Sequence, residues 1–154
     1  GADTPACSDV ILNGEFEADS GWQVNPEGYP IYSRERAHRG DRSAIVGYDD
    51  ARYSSIRQGL SLSAGSSGTV RLWFYPINEN QDPDDWLYVS LWDEQGDRHN
   101  LGFRTSDAKE WQQAEYDVSD FLGQRITVII GAVNDGDGNL TRAYVDDVEL
   151  SVCP

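Results

Sequence analysis

The segment WLYVSLWD, residues 86–93, places aromatic and aliphatic side chains in alternation. Because a β-strand sends successive side chains to opposite faces, one face of this segment carries rings and the other carries aliphatics. Branched aliphatics fill a sandwich core best, which predicts that Leu87, Val89 and Leu91 point inward. Three rings then face away from the core: Trp86, Tyr88 and Trp92.

The preceding segment, TVRLWFYP, divides in the same way and leaves Trp73 and Tyr75 in its outward phase. If the two strands are neighbours, five rings share one outer face. Exposure of that much aromatic surface forfeits roughly 1.5–3 kcal/mol per ring relative to burial, so it usually marks a binding surface. Two alternatives stay open. Loops or the N-terminal segment cover the rings as a second small core, or the two strands lie in different sheets with their rings on opposite sides.

Arginines in the outward phase of other strands add hydrogen-bond donors. The guanidinium group offers five N–H donors in a fixed fork. In RHNLGFR, the alternation places Arg98, Asn100 and Arg104 outward, with Leu101 and Phe103 inward. If their strands adjoin, three arginines are predicted to donate to a ligand on the aromatic face: Arg57, Arg71 and Arg104.

The elements that must position these side chains are short strands. Helical periodicity is nearly absent, and the alternating runs are separated by turn segments such as NPEG, SAGSSG and NDGDGN. Such spacing predicts an all-β antiparallel sandwich of the jelly-roll kind, in a single domain spanning 1–154. The predicted strands are 8–12, 31–38, 43–48, 54–62, 69–77, 86–93, 98–104, 111–118, 125–133 and 142–152.

The net charge of −15, from 27 acidic and 12 basic residues, constrains the partners. A field of this sign repels phosphate backbones and anionic lipid headgroups, which argues against nucleic acids and membrane surfaces. It suits neutral or cationic ligands, or serves only to keep the protein soluble. No apolar run approaches the ~18 residues of a membrane span. The start at Gly-Ala-Asp is typical of a mature or excised segment of a larger protein.

The two cysteines, Cys7 and Cys153, stand at opposite ends of the chain. A bridge between them closes nearly the whole chain and contributes on the order of 5 kcal/mol in the chain-entropy model. It requires the first and last strands to be neighbours and the compartment to be oxidising. We therefore expect a disulfide and a secreted, extracellular protein, with two unpaired thiols as the alternative.

Several segments in a fixed order resemble a known group of domains. These are ILNGEFEADSGW, AHRGDRSAIV, SIRQGLSLSAG, VRLWFYPI, the stretch from EWQQ to NDGDG, and AYVDDVEL. Together they resemble galactose-binding-like jelly rolls, particularly carbohydrate-binding modules of the family 4/9/22 kind. They are also similar to accessory jelly rolls of secreted bacterial peptidases and surface proteins. The resemblance covers nearly the whole chain and implies a jelly-roll fold and a sugar ligand.

The resemblance also implies a structural calcium ion where the first and last strands meet. Carried over to this sequence, the carboxylates of Glu17 and Asp146 bind the ion, and Glu15, Gly40 and Asp41 complete the cage. Ca²⁺ takes 6–8 oxygens and mixes carboxylates with carbonyls. The alternative is that Asp146 pairs with an arginine or bonds to a turn. The acidic segment DGDGN, 135–139, offers a rival site but fits a tight hairpin loop better.

Catalytic motifs are absent from the sequence: it has no GxSxG, HExxH or phosphate-binding glycine loop. Two carboxylate pairs, Glu15 with Glu17 and Asp147 with Glu149, would suit a glycosidase, but they lie away from the aromatic face. The sequence therefore predicts a monomeric, non-catalytic module that binds polysaccharide or oligosaccharide by aromatic stacking. The alternative is a protein-interaction or stabilising domain of a secreted peptidase or surface protein.

Overall fold

The computed structural model describes residues 6–48, 52–79, 85–134 and 140–154, which form two packed antiparallel sheets. No helix among these described residues is long and apolar enough to cross a membrane. The strands are β1 (Ser8–Asp9), β2 (Gln23–Asn25), β3 (Tyr32–Ser33), β4 (Ser43–Val46), β5 (Tyr53–Ser61), β6 (Ser67–Asn78), β7 (Trp86–Trp92), β8 (Arg98–Arg104), β9 (Gln112–Asp117), β10 (Arg125–Val133) and β11 (Thr141–Cys153).

The chain crosses repeatedly between the two sheets. Sheet A has the order β3-β4-β11-β6-β9, with β1 paired to β11, and sheet B has the order β2-β5-β10-β7-β8. The jelly-roll β-sandwich predicted from the sequence is confirmed. All ten predicted strands are present, and the structure adds β2, whose three residues are too short to show an alternation.

The core lies between the sheets and is filled by the aliphatic phase of each strand. Leu87, Val89 and Leu91 are all buried in it, as predicted. On the partner strand in sheet B, Val128 and Ile130 point the same way. The alternation of β7 is thus decided by the branched residues, and its rings are left on the outer side of sheet B.

The prediction that five rings share one outer face is wrong, because β6 belongs to sheet A and β7 to sheet B. Trp73 and Tyr75 therefore lie on the opposite side of the sandwich from Trp86, Tyr88 and Trp92. The prediction that Arg57, Arg71 and Arg104 lie together on the aromatic face is wrong for the same reason, since Arg71 lies on β6.

Arg104 was also predicted on the wrong face. The pairing of β7 with β8 shifts register between Val89 and Ser90, which inserts an extra residue into β8. A bulge of this kind reverses the alternation beyond it. Arg104 consequently pairs with Leu87, and its guanidinium lies 4.6 Å from the ring centroid of Phe74 in the core.

The first and last strands are neighbours and covalently joined. Ser8 pairs with Val152 in an antiparallel ladder, and Cys7 and Cys153 form the predicted disulfide across 146 positions of sequence. The bond connects the start of the described chain to the central strand of sheet A.

Candidate functional site

The outer face of sheet B is built from the strand positions opposite to the core phase. Register places Gly59, Thr127, Trp92 and Arg98 in one row across β5, β10, β7 and β8. The next row contains Gln23, Arg57, Ile129, Ser90 and Asn100. Two further rows contain Asn25, Ser55, Gly131 and Tyr88, and then Tyr53, Val133 and Trp86.

Tyr88 forms the floor of this face. Only 7% of the residue is exposed, and it packs with Ile129, Val133 and Trp86. The edge of one ring meets the face of the other in the Trp86–Tyr88 pair, whose centroids are 5.6 Å apart. The absence of a side chain at Gly131 allows Tyr88 to lie over β10, because a Cβ there would stand 2.5 Å from the Tyr88 hydroxyl.

Two rings of this face are exposed: Tyr53, with 53% of the residue exposed, and Trp92, with 37%. The guanidinium carbon of Arg57 lies 5.1 Å from the ring centroid of Trp92, in a cation–π contact. Arg57 also donates from Nη2 to the Ser55 hydroxyl at 3.2 Å. This arrangement places a flat apolar ring beside a forked donor, as the sequence predicted for Trp92 and Arg57.

Arg98 is a residue of this face that the predicted set omitted. It pairs with Trp92 across the β7–β8 hairpin, and its guanidinium carbon lies 5.1 Å from the ring of Tyr88. Its Nη2 donates to the Ser90 hydroxyl at 3.2 Å. The signal was present in the sequence, because the short turn DEQGD makes the two strands neighbours and puts Arg98 in the outward phase.

A hollow of about 620 Å³ opens at the Gly59–Trp92 end of sheet B. Gly59, Arg125 and Thr127 line it from the sheet, and Asp93 and Glu94 of the β7–β8 turn border it. Trp92, Arg57 and Arg98 are not among the residues that line this hollow.

The rings on the outer face of sheet A are covered by residues 34–42, the connection between β3 and β4. The His38 ring stacks on Trp73 at 4.1 Å between centroids, and the Arg36 guanidinium lies 4.3 Å from the Tyr75 centroid. Trp111, which no pattern singled out, meets Tyr75 edge-on at 5.8 Å. Both alternatives left open by the sequence thus hold for Trp73 and Tyr75, since they lie on another sheet and under a loop.

Arg71 is held by carboxylates of its own sheet. Its Nη1 donates to Glu149 at 2.9 Å, and its Nε lies 3.3 Å from Glu115. These hydrogen bonds raise the pKa of Arg71 above its ordinary value. Its donors are therefore largely engaged, in contrast to those of Arg57.

The two carboxylates assigned to calcium converge on the turn at 38–42. The side chain of Glu17 accepts the backbone N–H of Asp41 at 2.7 Å and of Arg42 at 2.9 Å, and the Asp41 bond is the main cause of its lowered pKa. Asp146 is fully buried and accepts the backbone N–H of His38 at 2.8 Å and of Arg39 at 3.1 Å. Burial raises the pKa of Asp146 to about 6 despite these bonds.

These contacts match the alternative left open for Asp146, in which its carboxylate bonds to a turn. The oxygens of Glu17 and Asp146 accept backbone amides of the turn at 38–42, which includes Gly40. Glu15 is exposed nearby. Within the described ranges, no group of three or more His, Cys, Asp or Glu side chains is close enough to hold a metal ion. The rival site at 135–139 lies outside the described residues, and calcium stays a prediction.

No family model matches the chain, and no curated protein matches it. Several solved structures match the chain in fold. A family 61 carbohydrate-binding module in complex with β-1,4-galactotriose has a TM-score of 0.71 and 19% identity, over 93% of this chain and 98% of that one. A C-terminal family 22 module of Clostridium thermocellum Xyn10B has a TM-score of 0.64 and 13% identity, over 99% and 98%.

A cleaved adhesin domain of Lys-gingipain from Porphyromonas gingivalis has a TM-score of 0.64 and 14% identity, over 94% of this chain and 99% of that one. These identities are low, so the similarity is one of architecture. The chain therefore has the jelly-roll β-sandwich fold that these carbohydrate-binding modules and the adhesin domain share.

Proposed function

We propose that this chain is a non-catalytic module that binds polysaccharide on the outer face of sheet B. The observation that carries the proposal is the exposed ring of Trp92, set beside the Arg57 and Arg98 guanidinium groups on the outer face of sheet B. The fold similarity to modules described with β-1,4-galactotriose and as xylan-binding supports this class of ligand.

In the proposed mode of binding, the Trp92 ring stacks on the apolar C–H face of a sugar ring. Tyr88 and Trp86 form the apolar floor along β7, and Arg57, Arg98 and Asn100 bond to hydroxyls. An aromatic contact contributes ~0.5–1.5 kcal/mol beyond its buried area. Two or three such contacts therefore support affinities in the micromolar to millimolar range.

The rest of the proposal concerns the scaffold. The disulfide between Cys7 and Cys153 fits an oxidising compartment, so we place the module outside the cell. Calcium bound by Glu17 and Asp146 would hold the 38–42 turn against β11 and would not contact the sugar. Trp73, Tyr75, Arg71 and Arg104 have no part in this site because they lie on sheet A or in the core.

Substitution of Trp92 tests the proposal. Affinity electrophoresis against a polysaccharide panel should identify a ligand for the intact chain, and Trp92→Ala should weaken its binding at least tenfold. Trp73→Ala is the matched control, since it removes the same ring from the covered face of sheet A. Circular dichroism verifies that both variants fold.

The result is decisive in either direction. Loss in Trp92→Ala with retention in Trp73→Ala supports the outer face of sheet B as the site. Equal affinity of the intact chain and Trp92→Ala, or no binding to any polysaccharide, rejects it.

A further inference from the structure

The outward-facing strand positions of the two sheets differ in their acidic residues. The sequence has 27 acidic residues among 154. Among the described strand positions, however, none of the outward-facing residues of sheet B is Asp or Glu. Three of them are arginines, namely Arg57, Arg98 and Arg125.

The outer face of sheet A shows the opposite composition. Glu115, Asp117 and Glu149 lie there on β9 and β11, and Asp147 projects at the bulge of β11. The one arginine of β6, Arg71, is neutralised by ion pairs to Glu115 and Glu149. The negative charge of the chain as a whole therefore says little about the outer face of sheet B.

Among the described residues, no carboxylate forms an ion pair with the arginines beside Trp92. In the part of the chain that the structure describes, carboxylates pair with Arg39, Arg42 and Arg71, but with neither Arg57 nor Arg98. The Nε of Arg57 is buried without any hydrogen-bond acceptor. A guanidinium group without a paired carboxylate, set beside an exposed ring, is suited to a negatively charged group that arrives with a ligand.

The acidic side chains of the β7–β8 turn do not supply that acceptor. Asp93 in the β7–β8 turn is bound by the His99 ring at 2.8 Å and by the amides of Gln95 and Asp97, both at 2.9 Å. Glu94 borders the hollow at the end of the sheet. Neither forms an ion pair with Arg57 or Arg98.

We infer that the polysaccharide bound on this face carries carboxylates on its sugar residues, as a uronate-containing chain does. This inference rests on the proposed function and names its ligand class. The planar fork of arginine matches a carboxylate with two parallel hydrogen bonds. Arg57 and Arg98 flank Trp92, so one sugar residue stacks on the ring while its carboxylate, or that of its neighbour, meets a guanidinium.

The overall charge of −15 does not prevent this. At physiological ionic strength the screening length is about 8 Å, so acids on the far sheet are strongly screened while contact pairs are not. The expectation from composition alone, a neutral or cationic ligand, is thereby reversed for this surface.

The test compares polymers that differ only in their carboxylates. Polygalacturonate, alginate and glucuronoxylan are each presented beside their carboxyl-reduced forms at 0.15 M NaCl, with binding measured by affinity electrophoresis. We expect at least tenfold tighter binding to one acidic polymer than to its reduced form. Arg57→Gln and Arg98→Gln should each reduce that preference about tenfold, as for the loss of one charge-assisted bond.

Arg34→Gln is the matched control, because Arg34 is an exposed arginine in the β3–β4 connection of sheet A and should leave the preference unchanged. Arg98 is itself exposed, so its substitution gives a folded variant even if Arg57→Gln destabilises the sheet.

Three outcomes overturn the inference. The reduced polymer binds as well as the acidic one, dextran sulfate binds as tightly as the best uronate, or only neutral polysaccharides bind in a Trp92-dependent way. The first and third leave the proposed function intact. Absence of binding to every polymer rejects the proposed function and the inference together.

Discussion

Gly131→Ala should distort the proposed sugar-binding face from beneath. A Cβ at this position would lie 2.5 Å from the Tyr88 hydroxyl and 2.6 Å from the backbone oxygen of Ser54. Ordinary contacts are 3.4–4 Å, so a shift of roughly an ångström is required in a well-packed sheet. Overpacking of this kind costs about 1–3 kcal/mol, or about 2–12 °C in Tm for a domain of this size.

Gly59→Ala is the matched control. Gly59 lies on the same face of the neighbouring strand β5, and a Cβ there meets nothing within 4 Å. Chemical denaturation gives the free energy of unfolding of both variants. Because Tyr88 must lift toward Arg98, Gly131→Ala should also weaken sugar binding, whereas Gly59→Ala should not destabilise the fold. Equal stability and equal affinity of the two variants would refute the placement of Tyr88 over Gly131.

Two further predictions concern the scaffold. Replacing both Cys7 and Cys153 by serine should lower the free energy of unfolding by about 5 kcal/mol, since the bond spans 146 positions and restricts almost the whole unfolded chain; a loss under about 1 kcal/mol in urea titration contradicts this account. Ca²⁺ at a hundredfold excess over its dissociation constant should stabilise the fold by about 2.7 kcal/mol relative to EGTA, and Asp146→Asn should abolish that gain. An unchanged Tm in millimolar Ca²⁺ would show that the 38–42 turn does not bind calcium.

Much of the fold could be predicted because its signal is local. Alternation with a period of two assigned Leu87, Val89 and Leu91 to the core and the rings of β7 to the outer side of sheet B, and both assignments are confirmed. The expected exposure fails for Tyr88, which is buried in a second small cluster. The disulfide could be predicted because the sequence has only two cysteines, one near each end, and neither belongs to a metal-binding motif. Four residues of the predicted set, Trp86, Tyr88, Trp92 and Arg57, lie together on the outer face of sheet B, and their role in binding stays a prediction.

The errors arose where a residue's position depends on a distant partner. Arg104 turned inward because one extra residue in β8 reversed its alternation, and nothing in RHNLGFR marks that bulge. Arg98 was omitted although the hairpin turn placed it opposite Trp92.

The sequence by itself determined which side chains share one side of each strand, since that depends only on the geometry of an extended backbone. It also determined the acidity of the chain and its closure by a disulfide. Only the tertiary structure decided that β6 and β7 lie in different sheets and that residues 34–42 cover Trp73 and Tyr75. It alone also shows that the described outward strand positions of sheet B include no Asp or Glu. The reason is that sheet membership depends on pairing and packing between segments far apart in the chain, which local alternation does not specify.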